Sequence, residues 1–203
     1  MREKILITAS DMFLSLGFKS VTMDDIADNL GISKKTIYNH FSTKNKLVQA
    51  TIIHLFDVIQ TGIDKIRAQR KNPIVELYEI KRFTMTYLKD EKASPHYQLH
   101  KYYPKIAQPI EKKYFDVVQD CVTDNLERGI ESGHYRSGIP ISFIGRIHFL
   151  GMSGIKNPDI FPPEEYSKPK LMEYFLDYHL HAICTPKGLK TLEEFKKSHE
   201  NFK

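Results

Sequence analysis

Between Ser33 and Lys46 lie four lysines (34, 35, 44 and 46) and no acid, interleaved with hydroxyl, amide and imidazole side chains. Ser33, Lys34, Lys35, Thr36, Tyr38, Asn39, His40, Thr43 and Lys44 are groups that donate to phosphate oxygens and to base edges. A local charge of this sign beside a phosphate backbone favours binding through counterion release. Charge alone would fit a solvated lysine face equally well. The surrounding residues separate the two readings.

Those residues describe two short helices and a turn. Thr22 is a good N-cap, with Asp25 three residues on as in a capping box and Asp24 and Asp25 complementing the positive helix end. Ile26, Ala27 and Leu30 share one face of a helix of about two turns. Gly31 stands where a left-handed residue ends that helix, and Ile32 plugs the gap behind it. Ser33 caps a second helix whose inward face is Ile37 and Phe41. A recognition helix must bury one side on its partner and offer the other to the major groove, and this spacing does that. Residues 22–41 read as a helix-turn-helix.

Ahead of it, Ile5, Leu6, Ala9, Met12, Phe13 and Leu16 form the stripe of a first helix over residues 2–16, with Gly17 as its stop. Phe18 and Val21 tuck the connection down, and the three helices share a core around Phe13, Ile26, Ile37 and Phe41. Ser42 and Thr43 cap a long fourth helix, with Leu47, Ile52, Leu55, Phe56, Ile59, Ile63 and Ile66 at helical spacing until Asn72-Pro73.

Gly17-Phe18, Val21-Thr22-Met23, Asp25-Ile26-Ala27, Leu30-Gly31-Ile32-Ser33-Lys34, Thr36-Ile37-Tyr38, His40-Phe41 and Lys44 together resemble the N-terminal signature of TetR-type (tetracycline-repressor-like) transcriptional regulators. The resemblance covers residues 1 to about 50. It implies an all-α homodimer with an N-terminal three-helix DNA-binding domain, residues 1–46, and a helical ligand-binding and dimerisation domain, residues 47–203. Geometry and resemblance together put Lys35, Thr36 and Tyr38 towards base edges, with Tyr38 able to lay its ring on thymine methyls. His40, Thr43 and Lys44 lie near the flanking phosphates, and Ser33 serves as cap, phosphate donor or both.

Composition sets outer bounds. In 203 residues, 41% hydrophobic content supports a real core, and a net charge of +5 is compatible with nucleic acid without requiring it. Cys121 and Cys184 stand far apart without metal-type spacing, which fits a reduced, cytoplasmic chain. No run approaches the roughly 18 apolar residues of a membrane span, and the N-terminus is amphipathic instead of signal-like. The histidine spacings match no zinc pattern, no cofactor motif is present, and no nucleophile or Gly-rich phosphate loop suggests an enzyme.

Downstream, a fifth helix opens at Pro73, and the pattern breaks over residues 89–109 around Pro95, Pro104 and Pro109. Further helices are expected over 110–131, from Pro140, and from Pro169 to Ile183, where Pro186 and Gly188 end the last strong one and leave a fraying tail. That makes nine or ten helices and no strand.

Tyr78, Phe83, Tyr87, Tyr97, His100, Tyr103 and Tyr114 crowd a segment where the family's helices enclose an inducer, so they are candidate pocket residues for an unknown small molecule; a tyrosine-rich core is the alternative. The helices at 140–155 and 169–184 are apolar too far round for one-sided burial. Phe143, Ile147, Leu150, Leu171, Tyr174, Phe175 and Tyr178 are therefore candidate dimer contacts, with Gly145, Gly151 and Gly154 permitting close approach. The expected function is a ligand-responsive regulator, a repressor, that binds a palindromic operator in double-stranded DNA as a homodimer. The rivals are a recombinase or transposase fragment, and a helical carrier or enzyme that keeps the fold without regulating transcription.

Overall fold

Proline and glycine placement, capping hydroxyls and apolar stripes divide the chain into ten α-helices among the described residues. A computed structural model describes residues 1–88 and 95–200, with only the backbone of residues 88, 95–97 and 199–200. The helices are α1 (Arg2–Leu16), α2 (Met23–Leu30), α3 (Lys34–His40), α4 (Lys44–Arg67) and α5 (Pro73–Leu88), followed by α6 (Pro95–Tyr102), α7 (Pro104–Glu131), α8 (Ile141–Gly154), α9 (Lys168–Ile183) and α10 (Pro186–Glu200). The fold is all-α, and Tyr135 and Cys184 form an isolated antiparallel bridge. No helix is long and apolar enough to cross a membrane among the described residues.

Two compact units result. The first takes Met1–Thr61 with Tyr87–Lys113, the second Gly62–Thr86 with Tyr114–Lys203. In the first, Ile5, Ala9, Phe13, Ile26, Ile37 and Leu47 are almost wholly buried in one core. Leu99 and Ala107, from α6 and α7, close that core, so the unit reaches past residue 46. Leu16, expected on the buried stripe of α1, is 57% exposed. It lies at the last position of the helix. Gly17 does stop α1, but with an extended ψ of 152° and not in the left-handed helical form.

The second unit packs Ile74, Leu126, Leu180, Ile183 and Leu192 around a buried polar set. Glu76 is fully buried and accepts from Arg128 and from Asn125 Nδ2 (2.8 Å), while the Tyr135 hydroxyl donates to Asn125 Oδ1 (3.0 Å). Gly129 is required there, because a Cβ at this position would fall 1.9 Å from the Tyr135 ring. Arg67, the last residue of α4, and Arg70, three residues past it, meet Asp120 and Asp124 of α7 at 2.8 and 2.9 Å.

Two proline signals resolve differently from expectation. Residues 104–109 belong to α7: Pro104 takes the first helical position, and Pro109 sits inside the helix. Pro109 and Lys105 are both exposed, so water can solvate the carbonyl that the missing N–H leaves free. Pro186 begins a helix instead of ending one, with the Thr185 hydroxyl accepting from Gly188 N–H (3.2 Å). The expected fraying tail is α10, docked through Leu192, the Phe195 ring 4.9 Å from that of Tyr78, and a Lys196–Asp177 ion pair. The charged run at 89–92 lies outside the described residues.

Where α8 meets α9, the rings of His148 and His179 stand 4.6 Å apart, both buried. Burial, reinforced for His148 by the neighbouring imidazole, pushes His148 down to about 3 and His179 down to about 4. Both are neutral in the folded and unfolded chain above the ordinary histidine range. As pH falls below it, only the unfolded chain takes up the protons. Stability linked to this pair is thus complete above about pH 6.5 and is lost as pH falls towards 4 and then 3. Urea midpoints should decline over that window, and two of the nine imidazoles should remain neutral by NMR at about pH 5. Nine imidazoles titrating together near neutrality would refute the pairing.

Candidate nucleic-acid interface

α2 and α3 are built by local hydrogen bonds the sequence announces. Thr22 Oγ1 accepts from Asp25 N–H (3.1 Å), and Asp25 Oδ2 accepts from Thr22 N–H (2.7 Å). That reciprocal pair is a complete capping box. The backbone bond from Thr22, with the hydroxyl bond beside it, holds the exposed Asp25 carboxyl below the usual carboxylate range. Gly31 turns the chain with φ 63° and ψ 34°, left-handed as expected, and Ile32 N–H closes on Ala27 O (3.0 Å). Ser33 Oγ then accepts from Thr36 N–H (3.1 Å) to start α3.

Ile37 is fully buried and Phe41 is 4% exposed, so the rest of α3 faces outward. Lys34, Lys35, Asn39 and His40 are exposed, Tyr38 is 41% exposed, and Thr36 is half-buried. Lys34 Nζ lies 2.8 Å from Asp24 Oδ2, which raises its pKa. Both side chains are largely in solvent, where such a pair is weak, so a phosphate can compete for the ammonium. Thr43 Oγ1 accepts from Lys46 N–H (3.2 Å), making it the cap of α4. Lys44 is half-buried; burial lowers its pKa, and its Nζ donates to Lys19 O (3.3 Å). Lys44 is thus a seated cation between α4 and the connection after α1. Neither its carbonyl partner nor the Asp24–Lys34 pair carries a sequence signal, because both join residues ten or more positions apart.

A capped helix pair with a left-handed glycine between, one buried face and one basic polar face, is a helix-turn-helix of the DNA-binding class. Residues 5–51 match the family described as "Bacterial regulatory proteins, tetR family". The chain is 39% identical over 62 residues to the "HTH-type transcriptional activator FasR" of Mycolicibacterium smegmatis, 30% of this chain and 28% of that one. It is 24% identical over 152 residues to the "HTH-type transcriptional repressor KstR2" of Mycobacterium tuberculosis, 71% of this chain and 74% of that one. The fold is that of a TetR-family regulator from Agrobacterium tumefaciens, with a TM-score of 0.73 at 18% identity over 91% of this chain and 97% of the other. Residues 5–51 thus carry a TetR-type N-terminal DNA-binding domain, and the chain is similar over most of its length to TetR-family transcriptional regulators.

The other residues singled out from the sequence divide between the two units. Tyr87, His100 and Tyr103 belong to the first unit, where the Tyr103 ring stands edge-on to Phe18 (6.1 Å) and His100 Nε2 is 4.0 Å from Glu111. Tyr78, Phe83 and Tyr114 belong to the second: Tyr78 on Phe195, Phe83 against Gly62, and Tyr114 at 5.6 Å from Phe149. The Tyr78 hydroxyl is buried with no hydrogen-bond partner among the described residues, and burial pushes its pKa up. The side chain of Tyr97 lies outside the described residues.

On α8 and α9, Phe143, Ile147, Leu150, Tyr174 and Tyr178 are 58, 40, 61, 55 and 71% exposed. Phe175 is half-buried against Gly151, where a Cβ would come within 2.1 Å of its ring. Leu171 is 6% exposed and points into the interior of its own chain, unlike its expected companions.

Tyr38→Ala removes an exposed ring, so stability should move by no more than about 0.5 kcal/mol while affinity for a selected genomic binding site drops at least about tenfold. Anisotropy titration and a thermal melt check both. Equal damage to stability would mean that Tyr38 serves the core.

Proposed function

We propose that the chain is a homodimeric repressor that reads a palindromic operator in the cytoplasm and releases it when a small molecule binds. The observation that carries this is the exposed apolar face on α8 and α9. Phe143, Ile147 and Leu150 recur at i, i+4 and i+7, with Tyr174 and Tyr178 on the next helix. A contiguous face of this kind on a regulator calls for a partner. One helix-turn-helix reads too few bases for useful specificity, and a second copy held on this face supplies the other half-site. Residues 1–46 read DNA in this scheme, and residues 47–203 bind the effector and dimerise. The action is binding, not catalysis.

Repression is favoured over activation because the relative named a repressor aligns with 71% of the chain, the one named an activator with 30%. Release follows from a population shift. α4 starts at Lys44, separated from the recognition helix by three residues, and ends at Arg67, whose ion pair with Asp120 of α7 is joined by that of Arg70, just past the helix, with Asp124. An effector that prefers a different packing of the helices after residue 46 moves α4 and spoils the roughly 34–36 Å spacing of successive major grooves.

Selection of sheared genomic DNA with the purified protein should enrich one palindrome. Phe143→Asp with Tyr178→Asp, both at exposed positions, should convert the dimer to a monomer by light scattering and weaken that site at least about 100-fold. A wild-type monomer, or no enrichment at low salt, would count for a helical carrier that does not regulate transcription.

A further inference from the structure

The first unit has a basic feature that the recognition helix does not account for. An open cleft lies between the start of α1 and the early turns of α4, with His40 and Ser42 at its edge. Arg2, Lys46 and His54 line it as well, and its one acid, Asp57, is engaged by Lys113 Nζ at 3.2 Å. Arg2 is held in place: its guanidinium carbon sits 5.2 Å from the centroid of the Phe41 ring, which the core fixes beneath it. A guanidinium over a ring face uses no hydrogen-bond donor in that contact, so its N–H groups can still donate in pairs. Lys46 is exposed, with no ion pair among the described residues.

We propose that this cleft seats a phosphate of the DNA backbone just outside the bases that α3 reads, with Arg2 as the fork and Lys46 as the point charge. The inference rests on the reading of α3 as a recognition helix. Two observations choose DNA as the occupant. The cleft is continuous with that surface, since His40 is both the last residue of α3 and part of the lining. Its unengaged charges are all positive, which suits a phosphodiester and not a basic or neutral peptide. A phosphate held this way fixes register on the duplex and carries no sequence information. Arg2 lies outside the helix-turn-helix in sequence and is set against it over the ring of Phe41.

The test is anisotropy of the full chain on a labelled 40-base-pair duplex of mixed sequence (length chosen as roughly four helical turns), titrated with sodium chloride. Arg2→Gln and Lys46→Gln should each flatten the plot of log K against log salt by about 0.9 for every phosphate that a bound subunit no longer neutralises. Each should weaken binding about tenfold near physiological salt, equally on mixed DNA and on the selected palindrome. Tyr38→Ala behaves oppositely, losing preference for the palindrome while keeping the slope. Lys46→Gln leaves Phe41 untouched, so it tests the cleft without disturbing the core. Wild-type slope and affinity in both glutamine variants would overturn the cleft and leave the regulator standing. No salt-dependent binding of the wild-type chain to either duplex would overturn both.

Discussion

A helix of seven residues is not stable in water by itself, so everything α3 offers to DNA depends on what lies beneath it. Ile37 supplies the anchor: it is fully buried, and Phe41 one turn later is nearly so. With those two positions inward, the helix has no rotational freedom, and Lys35, Tyr38 and Asn39 must face out. The caps at Thr22 and Ser33 and the left-handed turn at Gly31 then set where α3 begins and how it meets α2. Phe41 serves twice, closing the core and giving the Arg2 guanidinium a platform. Leu47 and Val48 bring the start of α4 into the same core, so a displacement of α4 is felt at α3.

The second unit is held by a different kind of interaction. Glu76, Arg128, Asn125 and Tyr135 form a polar set whose members are expensive to bury singly and tolerable only together. It ties α5 to α7 and to the bridge residue Tyr135, while Asp124 accepts from both Arg128 and Arg70 and so joins the segment just past α4 to the same set. By contrast, after its first two turns α4 has no fully buried apolar residue: Leu55, Phe56, Ile59 and Ile63 are half-buried and Ile53 is exposed. Elements that move in allosteric switching are drawn from such loosely buried segments, bounded by firmer anchors at each end.

Much of this was legible because it is local. Thr22, Asp25, Gly31 and Ser33 act within four residues of themselves, so the sequence showed the helix pair nearly as the structure has it. Ile37 and Phe41 were legible through period alone. Proline was ambiguous, since it ends one helix and starts the next with the same residue: Pro104 and Pro186 prove to be starts. The docking of α10 depends on Leu192, Phe195 and Lys196 meeting residues far back in the chain, which no local pattern records. Burial at a single position was legible only to within a face, hence an exposed Leu16 and a buried Leu171. The partners of Lys34 and Lys44 and the seat of Arg2 on Phe41 are tertiary contacts, and they alter the electrostatics of the surface around α3 without a trace in spacing.

The central claim is that α3 enters the major groove as one of two symmetric heads. Hydroxyl-radical footprinting of the protein on its selected genomic site measures that directly. Two protected patches related by a two-fold axis, their centres about one helical turn or a whole multiple of it apart, are the predicted result. A single patch, or even protection along the whole fragment, would contradict it.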